Sequence, residues 1–234
     1  QIQKRLLKMN RICKAFSGVQ VLSDVGFDLY SGEVHILVGE NGAGKSTLIK
    51  ILGGVYDDFT GQIHLGSESV RFKSVNEAAS KGISIIHQEL SLVGPMSVAE
   101  NIFLGREKTR GLLLDKTSMA KQAHKRLASL GLDIDVTRPV ADFPLGTKQM
   151  IEICKSLALD CRIIVMDEPT SALTEPEVEK LFGIIEKLKN QGCGIIYSTH
   201  KMEEIYRLAD RITVLRDGKQ IATAAAAGLD KDKL

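Results

Sequence analysis

Apolar and polar residues alternate in three early stretches, LLKMNRICKAF (6–16), VLSDVGFDLY (21–30) and EVHILVG (33–39), and each predicts a half-buried strand. Ser-Gly pairs at 17–18 and 31–32 supply the turns between them. QIHLG (62–66) and VRF (70–72) add short strands, and STLIKILGG opens a helix after Gly44. The period then changes. SVAENIFLG (97–105) predicts a short helix and Thr117–Leu130 a longer one. TKQMIEICKSLAL (147–159) predicts a third, with Met150, Ile151, Ile153, Cys154 and Leu157 along one side. The last third alternates in type: strand RIIVMD, helix EPEVEKLFGIIEKLKNQ, strand CGIIYST, helix KMEEIYRLA, strand RITVLRD, turn Asp217-Gly218 and strand KQIAT. Apolar strands alternating with helices predict an α/β fold with a mostly parallel sheet covered by helices. A small antiparallel β layer is expected near the N-terminus. The core is expected over 1–88 and 161–234, with an inserted α-helical subdomain at 89–160. No internal repeat is visible.

Composition narrows the classes. The 234 residues suit one large domain or two small lobes, and 44% hydrophobic with 26% charged residues is ordinary globular material. A net charge of +2 gives no strong drive toward nucleic acid or anionic lipid. Uninterrupted apolar runs such as IIVM (163–166) suit buried strands rather than a membrane span, and no signal-peptide pattern opens the chain. Cys13, Cys154, Cys161 and Cys193 lack metal-ligand spacing, and a chain of this size folds without disulfides, so reduced thiols are expected. The alanine run 224–227 and the polar GLDKDKL after it predict the start of a linker at 224–234.

The chemistry begins at GENGAGKST (39–47), which fits G-x-x-x-x-G-K-[ST] between an apolar strand and a helix, the two context tests for a P-loop. The loop residues Gly39, Glu40, Asn41, Gly42, Ala43 and Gly44 would turn backbone N–H groups around a polyphosphate at a helix N-terminus. Lys45 would reach the β- and γ-phosphates, and Ser46, followed by Thr47, would hold Mg²⁺. A chance match to the motif in a chain this long is on the order of one in a hundred. RIIVMDEP (162–169) delivers Asp167 and Glu168 at the C-terminal end of a strand, where α/β sheets place their ligands. Asp167 would support Mg²⁺, and Glu168 would orient and polarise a water for attack on the γ-phosphate. Alone, such an Asp-Glu pair more often serves a helix N-terminus; a P-loop upstream reverses those odds. Gln88 follows an apolar strand and could touch Mg²⁺ or the attacking water, and His200 ends another and could donate to the γ-phosphate. His35, His64, His87 and His124 have no comparable placement and are expected to be structural or surface residues.

The order of these motifs, with FPLGT (143–147) before IIVMDEP, then SALT and STH, resembles the nucleotide-binding domain of ATP-binding-cassette transporters over nearly the whole chain. IHQELSLVGPMSVAENIFLGRE and IIYSTHKMEEIYRLADRITVLRDGK are similar to the N-terminal ATPase domain of bacterial monosaccharide importers of the ribose and galactose type. The resemblance implies an ATPase using ATP and Mg²⁺ to power sugar import, peripheral at the cytoplasmic face of the membrane. Its implied partners are a second such domain in the same natural chain, integral membrane permease subunits and, indirectly, a sugar-binding protein. Nucleic acid is not among them. It also implies that Phe16 stacks on adenine, that Gln88 links the metal to the helical insertion, that Ser171–Thr174 faces the domain–domain interface, and that His200 is the switch histidine. FPLGT occupies the place of the LSGGQ-type signature that closes over the partner domain's ATP. There Pro144 replaces the serine and Thr147 the glutamine, while Leu145 and Gly146 complete the segment. Thr147 is expected to cap the following helix and Pro144 to stiffen its approach. Two alternatives stay open: a related ATPase acting on DNA or ribosomes, disfavoured by the short insertion without a basic tract, and a nucleotide-dependent scaffold with little hydrolysis, disfavoured by the intact Lys45, Asp167, Glu168 and His200.

Overall fold

The computed structural model describes residues 4–88, 90–111, 113–157 and 161–227. The chain divides into two compact units, one of Gln1–Ile85, Cys161–Glu168 and Ile185–Leu234, the other of Ile86–Asp160 and Pro169–Ile184. The second unit thus takes in residues 169–184 besides the expected insertion. Leu229 and the rest of the predicted polar tail lie outside the described residues.

The first unit holds an antiparallel layer of β1 (Arg5–Phe16), β2 (Val19–Tyr30), β4 (Thr60–Leu65) and β5 (Glu68–Val70), in the order β2-β1-β4-β5. A second sheet runs β12-β11-β3-β10-β9-β6, from β3 (Val34–Val38), β6 (Ile83–Ile86), β9 (Ile163–Asp167), β10 (Gly194–Ser198), β11 (Arg211–Arg216) and β12 (Lys219–Ala225). β11, β3, β10 and β9 are mutually parallel neighbours, and β12 is antiparallel on the edge. Every residue of β9 and β10 is buried, which explains why those strands read as continuous apolar runs. Leu7, Leu22, Leu29, Leu37, Leu48, Ile51, Val165 and Ile196 belong to the one core between these layers. Ala224 and Ala225 pair with Ile212 and Arg211, so the predicted linker does not begin at 224; the small alanines fit an exposed edge strand.

Helices α1 (Lys45–Leu52), α2 (Val75–Ser80) and α7 (Met202–Leu208) complete this unit, and α6 (Glu175–Asn190) enters both. α2 was not predicted. It buries only Ala78, too little to show a period, yet its Ser74 cap accepts the Glu77 N–H at 3.3 Å.

The second unit packs α3 (Val98–Phe103), α4 (Lys116–Ser129) and α5 (Leu145–Leu157) around Ile102, Phe103, Ala123, Leu127, Met150 and Ile153. A short hairpin, β7 (Thr109–Arg110) with β8 (Leu113–Leu114), precedes α4. A full capping box of Ser97 and Glu100 starts α3. The Lys116 ammonium and the Ser97 donors hold the Glu100 carboxyl down at about 2. α5 is buried more widely than the expected single side: Gln149, Glu152 and Ser156 are also covered, and Glu152 accepts a bond from Ser91 at 2.5 Å.

Candidate nucleotide site

β3 runs into the P-loop, and the loop's shape follows from its glycines. Gly42 and Gly44 have φ of 86° and 101°, and a Cβ on Gly44 would lie 2.5 Å from the Leu22 side chain. Gly44 is therefore the residue that lets the loop lie against β2 while turning into α1. The Leu48 N–H bonds back to the Gly44 carbonyl at 3.0 Å, which starts the helix there. The turn between β11 and β12 closes the other side: the Gly218 N–H donates to Ala43 O at 3.2 Å, and the Ser23 N–H to Gly218 O at 2.8 Å. Glu40, Asn41 and Gly42 are exposed at the mouth, whereas Ala43, Gly44 and Lys45 are buried. The Lys45 ammonium is held by the Gly39 and Glu40 carbonyls at 2.6 and 3.1 Å. These two bonds fold the side chain back onto its own loop.

Both carboxylates arrive at the end of β9, two strands from β3. Asp167 ends β9, and its Oδ2 accepts the Ser46 hydroxyl at 3.2 Å. A hydroxyl and a carboxylate so close, at a helix N-terminus, are the donor pair Mg²⁺ takes from a protein that leaves its other positions to water and phosphate. Among the described residues there is no cluster of three or more His, Cys, Asp or Glu that could hold a metal by itself. Glu168 follows with φ of 48°, a left-handed conformation a glutamate seldom adopts. The bond from its N–H to Ser198 O at 3.0 Å holds it there. The bend carries the carboxylate off the strand's line to His200, whose Nδ1 lies 3.3 Å from Oε1.

Sequence reasoning missed what fixes His200. Glu204, buried in α7, accepts from the Tyr197 hydroxyl at 2.9 Å and the Thr199 hydroxyl at 2.8 Å, and Thr199 Oγ1 accepts the Lys201 N–H at 3.1 Å. These bonds grip the residues on both sides of a histidine that is itself two-thirds exposed. Phe16 is 37% exposed. The Lys14 ammonium lies 4.5 Å from the centre of its ring and Tyr56 meets it edge-on at 5.1 Å.

The structure brings Phe16, the loop 39–47, Asp167, Glu168 and His200 into the first unit. Gln88, the segment 144–147 and Ser171–Thr174 belong to the second. There the expectation for Thr147 fails. α5 begins at Leu145, and the Pro144 carbonyl accepts the first helical bond, from the Lys148 N–H at 3.0 Å. Thr147 is inside the first turn, where its hydroxyl cannot cap, because the cap lies one residue before the helix. Leu145 points to solvent at 57% exposure. A Cβ on Gly146 would lie 2.3 Å from the Glu177 carboxylate, which also accepts the Thr174 N–H and hydroxyl at 2.9 and 2.8 Å. Glu177 is the N3 carboxylate of α6 reaching back to its cap. The T-x-x-E spacing was a visible signal for this bond. Its contact with Gly146 was not.

This is the architecture of a P-loop α/β protein with an inserted helical unit. Residues 22–171 match the family model described as ABC transporter. The chain is similar to the ribose import ATP-binding protein RbsA of Clostridium tetani, 48% identical over 99% of this chain and 46% of that one. It is equally similar to the galactose/methyl galactoside import ATP-binding protein MglA of Salmonella typhimurium, 48% identical over 98% and 45% respectively. A solved nucleotide-free ATP-binding cassette from an ABC transporter shares the fold with a TM-score of 0.85 at 24% identity, over 94% of this chain and 91% of that one. The chain belongs to the ABC transporter family. It spans under half the length of these curated relatives.

Proposed function

We propose that the chain binds Mg-ATP on its P-loop and hydrolyses it to drive import of a monosaccharide through membrane permease subunits. The observation that carries this is the meeting of Glu168 with His200 at 3.3 Å, on strand ends adjoining the Ser46–Asp167 pair. The loop N–H groups and Lys45 bind the β- and γ-phosphates, and Phe16 stacks on the base through the ring face not occupied by Lys14. Mg²⁺, held by Ser46 and Asp167, would offset the phosphate charge. Glu168 takes the proton of the attacking water, and His200 donates to the γ-phosphate. The import names of the relatives support a sugar as cargo.

The segment FPLGT serves the ATP of a second ABC domain, expected in the same natural chain. Without the serine hydroxyl it is a weakened clamp, so one of the two composite sites would carry most of the turnover. The assembly works at the cytoplasmic face of the membrane with a sugar-binding protein outside; no helix among the described residues is long and apolar enough to cross a membrane.

The test is reconstitution of the full-length protein with its permease subunits in vesicles. ATP turnover that rises when ribose- or galactose-loaded binding protein is added, with sugar accumulating inside, is the expected result. Turnover indifferent to every monosaccharide would remove the import reading, and absence of turnover would remove the ATPase reading.

A further inference from the structure

At the opposite end of β9 and β10 from Asp167 and His200, the first unit has a cavity of about 550 Å³. Strands of five residues separate the two ends by roughly 17 Å. Three distant chain segments bring cations to this cavity: Lys4 and Arg5 at the start of β1, Lys81 after α2, and Arg162 before β9. The acidic residue in the lining is Glu68, paired with Lys81 at 2.6 Å. The lining's formal charge is four cations less one anion, +3, against +2 for the whole 234-residue chain.

Two features set this apart from a solvated basic surface. No acidic side chain among the described residues pairs with Lys4, Arg5 or Arg162. The space between them is kept open by small residues. The turn Gly66–Ser67 forms one wall, and the Ser31 hydroxyl, bonded to Gly192 O at 2.8 Å, forms another. Cations often gather near helix C-termini to complement the dipole. That accounts for Lys81, which caps α2, but not for Arg5, which begins a strand, or Lys4 just before it.

We infer that this cavity is a second anion site, for a small phosphorylated metabolite bearing two or more negative groups. Its volume falls within the roughly 300–1,000 Å³ of small-molecule sites. The two arginines provide planar forks suited to phosphate oxygens, and the lysines add point charges. A cavity of about 550 Å³ suits a compact anion better than an extended one. The site lies on the first unit's own residues and does not depend on the ATPase reading.

The test is calorimetric titration of the full-length protein with fructose 1,6-bisphosphate as probe, under saturating ADP so that the P-loop is filled. Saturable binding that weakens with salt is expected. The double variant Arg5→Gln/Arg162→Gln should weaken it at least tenfold while leaving ADP affinity and melting temperature within error. Glu68→Gln, which removes the lone acid and frees Lys81, should tighten it two- to fivefold. Absence of heat with the P-loop filled would overturn the inference, as would binding indifferent to the double variant. Binding of phosphatidylglycerol vesicles through the same arginines, without binding of the bisphosphate, would also overturn it, by assigning the patch to a membrane surface.

Discussion

Two glycine-bearing segments each precede a helix in this chain, and they are built in opposite ways. At 39–47 Gly42 and Gly44 take left-handed angles, the loop wraps its own lysine, and β2 and the β11–β12 turn brace it. At 143–147 a proline supplies the first helical acceptor, a leucine faces solvent, and the single glycine is covered by the Glu177 carboxylate. The first segment is bent by its glycines and held by its neighbours, as a phosphate-binding loop requires. The second has lost the hydroxyl and keeps only helix N–H groups and dipole. A glycine before a helix is thus no phosphate site by itself: what matters is whether the backbone around it is bent and braced.

The comparison can be broken most strongly at Glu168. In the assembled transporter, Glu168→Gln should leave ATP binding intact and cut turnover by about 10²–10⁴-fold, the usual range for a general base. Near-normal turnover would take Glu168 out of the chemistry. Lys45→Ala should weaken ATP binding by roughly ten- to a hundredfold in a direct titration, since it removes a charge-assisted contact of about 1.5–3 kcal/mol. Unchanged affinity would mean that the braced loop does not hold the phosphates.

The strand that feeds the P-loop offers a smaller effect. His35, on β3, is fully buried, stacked on Phe27, with its nitrogens 2.8 Å from Asp28 O and Thr213 Oγ1. Burial, aided by the Arg211 guanidinium and opposed by the Asp28 carbonyl and charge, lowers its pKa to about 4. The unfolded chain takes up this proton near pH 6.5 and the folded one only near 4, so stability falls as pH drops between them. From pH 7 to pH 5 the loss from this group is on the order of 2 kcal/mol. Glu33, raised by burial, runs the other way and loses its contribution as pH climbs above the ordinary carboxylate value. Denaturant melts at both pH values should show the drop, and His35→Gln should flatten it. An equal drop in the variant would place the titration elsewhere.

The smallest change is expected at the weaker segment. Pro144→Ser restores a hydroxyl but leaves Leu145 and the Glu177-covered glycine unchanged, so turnover of the 234-residue chain should rise by less than about threefold. That is well below the roughly ten- to hundredfold which a full charge-assisted hydrogen bond of 1.5–3 kcal/mol could give. A larger gain would show that the missing hydroxyl alone disables the clamp.

Much of the first unit was legible because its signals are local. Gly39–Thr47 is a fixed spacing, and RIIVMD and GIIYST are short apolar runs whose ends carry the residues proposed for the chemistry. What stayed hidden depends on residues far apart in sequence or on weak local cues. Glu204 anchors the His200 loop from a different element, and its role needs the fold. Glu177 covers Gly146 from more than thirty positions away. Thr147 looked like a cap because threonine is a good one; Pro144 had already started the helix a residue before Leu145. The edge strand β12 extends into an alanine run that carries no strand signal, since pairing with β11, not side-chain preference, fixes it.

The contrast between the two segments is tested most directly by ATP turnover of the purified 234-residue chain across a wide range of protein concentration. The account predicts Mg-ATP binding with slow turnover whose rate per molecule stays nearly flat, because two copies would have to close each other's sites with FPLGT. Fast turnover that climbs steeply with protein concentration would show FPLGT to be a competent clamp and would contradict the account.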